Sequence, residues 1–100
     1  GHTLLIPKQH YDDLLSTPSE VVGKLYQAAQ KVARGVMVGV GADAFNLGLN
    51  NGRAAGQVVF HTHIHIIPRL SADGLALWKQ NEYKEGQMAE VGKKISQALL

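Results

Sequence analysis

Gln57-Val58-Val59-Phe60-His61-Thr62-His63-Ile64-His65-Ile66-Ile67-Pro68 is a β-prone run of branched and aromatic residues, closed by a proline that cannot donate to a sheet ladder. Read with the two-residue period of a strand, it places His61, His63 and His65 on one face and Val58, Phe60, Thr62, Ile64 and Ile66 on the other. The second set is what packing against a helix requires, so one face is core and the other presents three imidazoles. Upstream, Phe45, Leu47 and Leu49 alternate with Asn46, Gly48 and Asn50, which predicts a half-buried strand over residues 45–50. Asn51-Gly52 signals a turn that Arg53-Ala54-Ala55-Gly56 continues, so two antiparallel strands joined by a loop of about six residues are expected.

The remaining segments supply a third strand and two helices. Thr3 to Ile6 reads as a short strand closed by Pro7. In Thr17-Pro18-Ser19-Glu20, Thr17 is placed as an N-cap, Pro18 as the first helical residue and Glu20 to close a capping box. From there Val22, Leu25, Ala29, Val32, Val36 and Val40 recur at steps of three and four, and Gly39 and Gly41 supply the stop. Past Pro68 the chain reads as loop through Asn81, after which Met88, Val91, Ile95, Ala98 and Leu99 mark a C-terminal amphipathic helix. The expected fold class is α+β: an antiparallel sheet with a long helix packed on one face and a C-terminal helix.

The chain has 100 residues, one domain's worth, so residues 1–100 are read as a single domain. With 45% hydrophobic and 18% charged residues it buries enough apolar surface to fold. Ten Lys and Arg against eight Asp and Glu leave a net charge of +2 without a basic run, which suits a small anionic ligand and argues against nucleic acid. The absence of cysteine excludes a disulfide framework or any Cys-based metal site made by this chain alone. No apolar stretch is long enough for a bilayer, so no membrane association and a cytoplasmic location are expected. The chain starts at Gly1 and runs straight into a strand, so further sequence is expected upstream.

Three imidazoles on one strand face admit two chemistries. Histidines at i and i+2 can chelate a metal ion together with a third ligand. Alternatively, a neutral imidazole attacks phosphorus or a carbonyl while neighbouring donors hold the developing charge. No Asp or Glu lies between Asp43 and Asp73 to orient metal-bound imidazoles. The surroundings are instead Asn46, Asn50, Asn51, Arg53 and Gln57 with open glycine backbone, a set suited to an anion. Trp78 falls in a loop, where it covers the core or reaches a ligand.

His61-Thr62-His63-Ile64-His65-Ile66-Ile67 resembles the His-x-His-x-His-x-x signature of the histidine triad family. Gly1-His2-Thr3-Leu4-Leu5-Ile6-Pro7-Lys8 is similar to that family's central-strand segment, Phe45 to Gly52 to the strand and turn before the triad, and Gly56-Gln57 to its phosphate loop. The resemblance implies a nucleotide hydrolase or transferase acting at an α-phosphate, on a purine nucleotide, a nucleoside phosphoramidate or a dinucleoside polyphosphate. His63 would be the nucleophile that forms a nucleotidyl-histidine. His65 would contact the phosphate, and Asn50 the phosphate or leaving group. His2, the counterpart of a fourth histidine, would lie near His61 and help order and protonate the set. Gly56, Gln57 and Val58 would form the phosphate cradle, with Val58 standing where many relatives carry a hydroxyl residue. Catalysis would need no metal or other cofactor, and two protomers would join through the long helix and the 45–50 strand as a homodimer. The resemblance also implies an N-terminal segment before Gly1 with the base pocket. In some bacterial members a Cys pair there completes a structural zinc site with histidines that match His10 and His61. A zinc-binding or non-catalytic nucleotide-binding module is thus the alternative.

Overall fold

The computed structural model describes residues 1–99, which run β1 (Thr3–Leu5), α1 (Ser19–Val40), β2 (Ala44–Gly48), a 3-10 turn (Arg53–Ala55), β3 (Ile64–Arg69) and α2 (Gln87–Ala98). The strands form one antiparallel sheet in the order β1-β3-β2, so the class is α+β as expected. The imidazole-bearing β3 is central, whereas β1, matched by resemblance to a central strand, is an edge among the described residues. In register, Leu5 lies across from Ile64, Thr3 and Leu47 flank Ile66, and Leu4 and Gly48 flank His65.

Residues opposite one another in a ladder share a face, which sorts the sheet into two surfaces. Ile64 and Ile66 are fully buried beneath Leu25, Ala29 and Ala33 of α1, and Leu5, Val21, Val32, Val36, Leu47 and Leu49 pack around them. The alanines let the helix approach the sheet. The expected stripe therefore holds at Leu25, Ala29, Val32 and Val36, Ala33 joins it as a fully packed position, and Val40 is exposed. At the far end, Gly41 adopts the left-handed conformation expected of a C-cap, with φ of 64°.

Two local expectations fail. Pro18, not Thr17, is the N-cap residue, and no side chain caps the helix. The Thr17 hydroxyl is instead buried, donating to the Asp13 carbonyl at 2.6 Å and lying 2.8 Å from the Thr62 hydroxyl, while Glu20 pairs with Lys24. The regular strand also begins at Ile64, not Gln57, and the β2–β3 connection is accordingly longer than six residues. Val58 is 86% exposed and Phe60 38%, so neither reaches the core; Phe60 lies beside the Arg53 guanidinium, 5.6 Å from its ring centroid. The interior positions of this stretch belong to Gln57 and Thr62, two polar residues whose side chains are hydrogen-bonded.

The C-terminal helix forms where its periodicity predicts, but among the described residues it packs against neither the sheet nor α1, leaving Met88 and Ile95 exposed. No described helix is long and apolar enough to cross a membrane.

The boundary between core and loop within the 57–67 run has a measurable consequence. Ile66→Ala is expected to cost about 2–5 kcal/mol in denaturant unfolding, and Val58→Ala to change stability by no more than about 0.5 kcal/mol. Equal losses would place Val58 in the core.

Candidate active site

Since Thr62, Ile64 and Ile66 are all fully buried, the alternation forces His61, His63 and His65 onto the opposite face, although only His65 sits in the ladder. The three rings nevertheless fall into two groups. His63 and His65 lie edge to face with centroids 4.9 Å apart, and His2 Nε2 is 2.9 Å from His65 Nδ1. His61 stands with His10, their Nδ1 atoms 3.0 Å apart. The expectation that His2 lies near His61 is thus corrected. Antiparallel pairing of Thr3 with Ile66 carries His2 diagonally across from His65, while His61 falls at the other end of β1, where its Nε2–H donates to the Pro7 carbonyl at 2.9 Å.

Acceptor-only partners settle the tautomers. His63 Nδ1 is 2.6 Å from the carbonyl of His61, which can only accept, so Nδ1 carries the proton and Nε2 of the neutral ring presents its lone pair. On His10, Nε2 donates to the Asp12 carboxylate at 2.9 Å. In neutral rings both His10 Nδ1 and His61 Nδ1 would then present lone pairs to one another, and two lone pairs 3.0 Å apart need a proton or a cation between them. Asp12, an acidic partner for this pair, was not apparent from the sequence around the triad because it comes from the loop after β1.

Among the described residues, His65 Nε2 is buried without a hydrogen-bond partner. The burial of the ring, then the neighbouring His63 and His2, hold its pKa below the ordinary imidazole value. His65 and His2 line a cleft of about 600 Å³ on the face opposite α1, together with Asn50, Gly48, Ile67, Arg69 and the overhanging Trp78. Trp78 therefore belongs to the ligand side of the sheet and not to the core. Gly48, directly across from His65, leaves that end of the cleft open. Arg69 was not singled out in the sequence; bonded to both carboxylate oxygens of Asp73, to Asn46 and to the Leu75 carbonyl, it anchors the loop that carries Trp78.

The expected cradle residues take different positions. Gly56 has φ of 89°, a conformation suited to glycine, and a Cβ there would sit 3.7 Å from Asn50 Nδ2, so Asn50 and Gly56 are neighbours. Gln57 is turned inward: its side chain accepts from the Gly52 amide and donates to the carbonyls of Asp12 and Val59, and its own N–H donates to Gly52. The Val58 N–H has no partner among the described residues, which leaves it available at this loop. Asn51 is likewise engaged, accepting from the Leu14 amide at 2.8 Å.

A family model for the HIT domain matches residues 1–72. The chain is 43% identical over 97 residues to the adenylylsulfatase HINT3 of Arabidopsis thaliana, covering 97% of this chain and 48% of that protein. Among solved structures, a histidine triad nucleotide-binding protein from Candida albicans superposes with a TM-score of 0.81 at 28% identity, over 98% of this chain and 73% of that one. A Zn-bound histidine triad family protein from Mycobacterium smegmatis gives 0.71 at 37% identity, over 96% and 72%. The chain spans about half the length of several curated relatives that it matches.

The lowered pKa of His65 ties stability to pH. As pH falls below about 6.5, the unfolded chain takes up a proton that folded His65 refuses, so stability present above that pH declines until the folded ring titrates. The urea midpoint is expected to drop between pH 7.5 and 5, and to drop less in His65→Gln; parallel slopes would show that His65 does not contribute.

Proposed function

Because this chain belongs to the HIT domain family, we propose that it is a nucleotide hydrolase or transferase that acts at an α-phosphate through a nucleotidyl intermediate on His63. The observation that carries this reading is the Nδ1–H of His63 held by the His61 carbonyl, which leaves Nε2 as a nucleophile on the imidazole face. Nε2 attacks phosphorus, a P–N bond forms, and the bond to the leaving group breaks as that group takes a proton from solvent. The ring then carries positive charge, stabilised by the same carbonyl on Nδ1. Water attacks the phosphorus from the face that the leaving group vacated and gives up a proton to solvent, the P–N bond breaks, and its electron pair returns to Nε2.

The neighbouring groups suit an anion. If His65 Nδ1 accepts from His2, His65 carries its proton on the orphaned Nε2, and a phosphate oxygen entering the cleft would satisfy that donor once the groups covering it move aside. Asn50 and the free Val58 N–H would complete the cradle around Gly56. We assign a purine nucleotide, as the phosphoramidate or a dinucleoside polyphosphate, as the substrate class. The Arabidopsis relative is named as an adenylylsulfatase, which supports an adenylyl group as part of the substrate.

No metal enters these steps. A structural zinc is a second reading, favoured by the two facing Nδ1 atoms of His10 and His61, whose other nitrogens donate to Asp12 and Pro7 in the manner that orients metal-bound imidazoles. Two nitrogens on one tetrahedral zinc would be about 3.3 Å apart, close to the 3.0 Å found. Among the described residues no third ligand joins them, so the rest of such a site would come from sequence outside this chain.

The expected outcome for His63→Ala in the full protein is a loss of several powers of ten in turnover of adenosine 5′-phosphoramidate, with nucleotide binding retained. Activity within about tenfold of the parent would defeat the assignment. Chelation separates the roles of zinc: loss of thermal stability with turnover intact indicates a structural ion, while turnover restored specifically by zinc would replace the metal-free mechanism.

We further propose that two protomers pair as a homodimer. Among the described residues the outer edge of β2 is unpaired, and Tyr26, Val38 and Phe45 are exposed beside it, as is the apolar stripe of α2. Sedimentation of this chain at micromolar concentration is expected to give about twice 10.8 kDa, and a clean monomer would overturn it.

A further inference from the structure

We propose that Thr62 is a positioning residue for His63, acting through the peptide group that joins His61 to Thr62. That peptide is the middle of a hydrogen-bonded chain. Its N–H donates to the Tyr11 carbonyl at 2.7 Å, and its C=O accepts from His63 Nδ1–H at 2.6 Å. The two bonds lie at opposite ends of one planar, resonance-coupled unit, so each polarises the other, and the plane of the peptide decides where the His63 ring points.

What fixes that plane is not the sheet, since residues 57–63 precede the first ladder pair of β3. It is the Thr62 side chain, fully buried, with Oγ1 2.8 Å from Thr17 Oγ1 and 3.2 Å from the Tyr11 carbonyl. The proton count gives the chain a direction. The Asp13 carbonyl can only accept and lies 2.6 Å from Thr17 Oγ1, so Thr17 donates there and the single Thr62 proton is shared between Thr17 Oγ1 at 2.8 Å and the more distant Tyr11 carbonyl at 3.2 Å. The hydroxyl of Thr62 thereby ties the peptide to the entry of α1, and the peptide in turn holds the tautomer that exposes Nε2. Valine has nearly the same shape, fills the same space and keeps the backbone N–H, but it lacks this tie.

The proposal rests on the reading of His63 as nucleophile, and the experiment keeps the two apart by pairing kinetics with nitrogen NMR of the imidazoles in the full protein. In Thr62→Val, kcat for adenosine 5′-phosphoramidate is expected to fall about 10- to 100-fold with KM within about twofold, because orientation and not ground-state binding is lost. Thr62→Ser, which restores the hydroxyl, should return to within about threefold of the parent. The His63 ring should be the Nδ1–H tautomer in the parent and in Thr62→Ser, and a mixture of tautomers in Thr62→Val. Thr17→Val cuts the same tie from the other side and carries the test should Thr62→Val not fold. An Nδ1–H tautomer unchanged in the valine variants overturns the proposal whatever the rates. A tautomer that shifts in an enzyme still active as His63→Ala upholds the positioning and rejects the nucleophile.

Discussion

The burial of Ile64 and Ile66 under Ala29 and Ala33 is the constraint from which the site follows. A strand that buries every second residue has only one acceptable register, because a slip by one would drive His65 into the core and lift two isoleucines into water. The small residues on α1 bring the helix close enough for both isoleucines to lose all contact with solvent. Everything on the opposite face is then set by pairing: Leu4 and Gly48 beside His65, and His2 a diagonal step away. The cleft is the space that this face leaves between Gly48, Arg69 and Trp78.

That constraint was legible in the sequence wherever burial obeys a period. The alternation from His61 to Ile66, the Leu25–Ala29 stripe and the Gly41 stop are all properties of a side chain and its near neighbours. Val58 and Phe60 obey the same period, yet lie outside, because buried polar groups that are fully hydrogen-bonded can fill interior positions as well as apolar ones, and a period cannot show their partners. Gln57 finds one of those partners, and Thr62 all of its own, in residues 11–17 of the loop after β1. Thr17 failed as an N-cap for the same reason, its hydroxyl being taken by Asp13 and Thr62. The division of the histidines into His2–His65 and His10–His61 required the register of β1, which no local pattern contains.

The electrostatics of the site differ from those of a nucleophile activated by a neighbouring carboxylate. Among the described residues no Asp or Glu bonds to His63, and a backbone carbonyl fixes its tautomer. A full negative charge there would repel a phosphate, whereas a carbonyl orients the ring without that penalty. His65, disfavoured as a cation by burial and by two other imidazoles, fits the same logic: it can donate a hydrogen bond to an anion while staying neutral. The acidic groups in this region are placed where they organise other parts, Asp12 on His10 and Asp73 on Arg69.

The two halves of the imidazole row therefore stand on different supports. His65 is held by β3 between β1 and β2, and its surroundings extend to the cleft and the Arg69-anchored loop. His61 and His63 are held by the loop after β1. Pro7, Tyr11 and Asp12 lend carbonyls to His61, to the Thr62 amide and to Gln57, Asp13 accepts from Thr17, and the Leu14 amide grips Asn51. Loop backbone is ordinarily the least fixed part of a fold, and here every one of those bonds ends on a residue of the segment 51–62 or on its partner Thr17. The same loop carries His10 and Asp12, so the contact between His10 and His61 shares its support with His63. The cleft beside Trp78 is lined by His65 and His2 and not by His63, whose ring stands edge to face with His65 at the cleft's border.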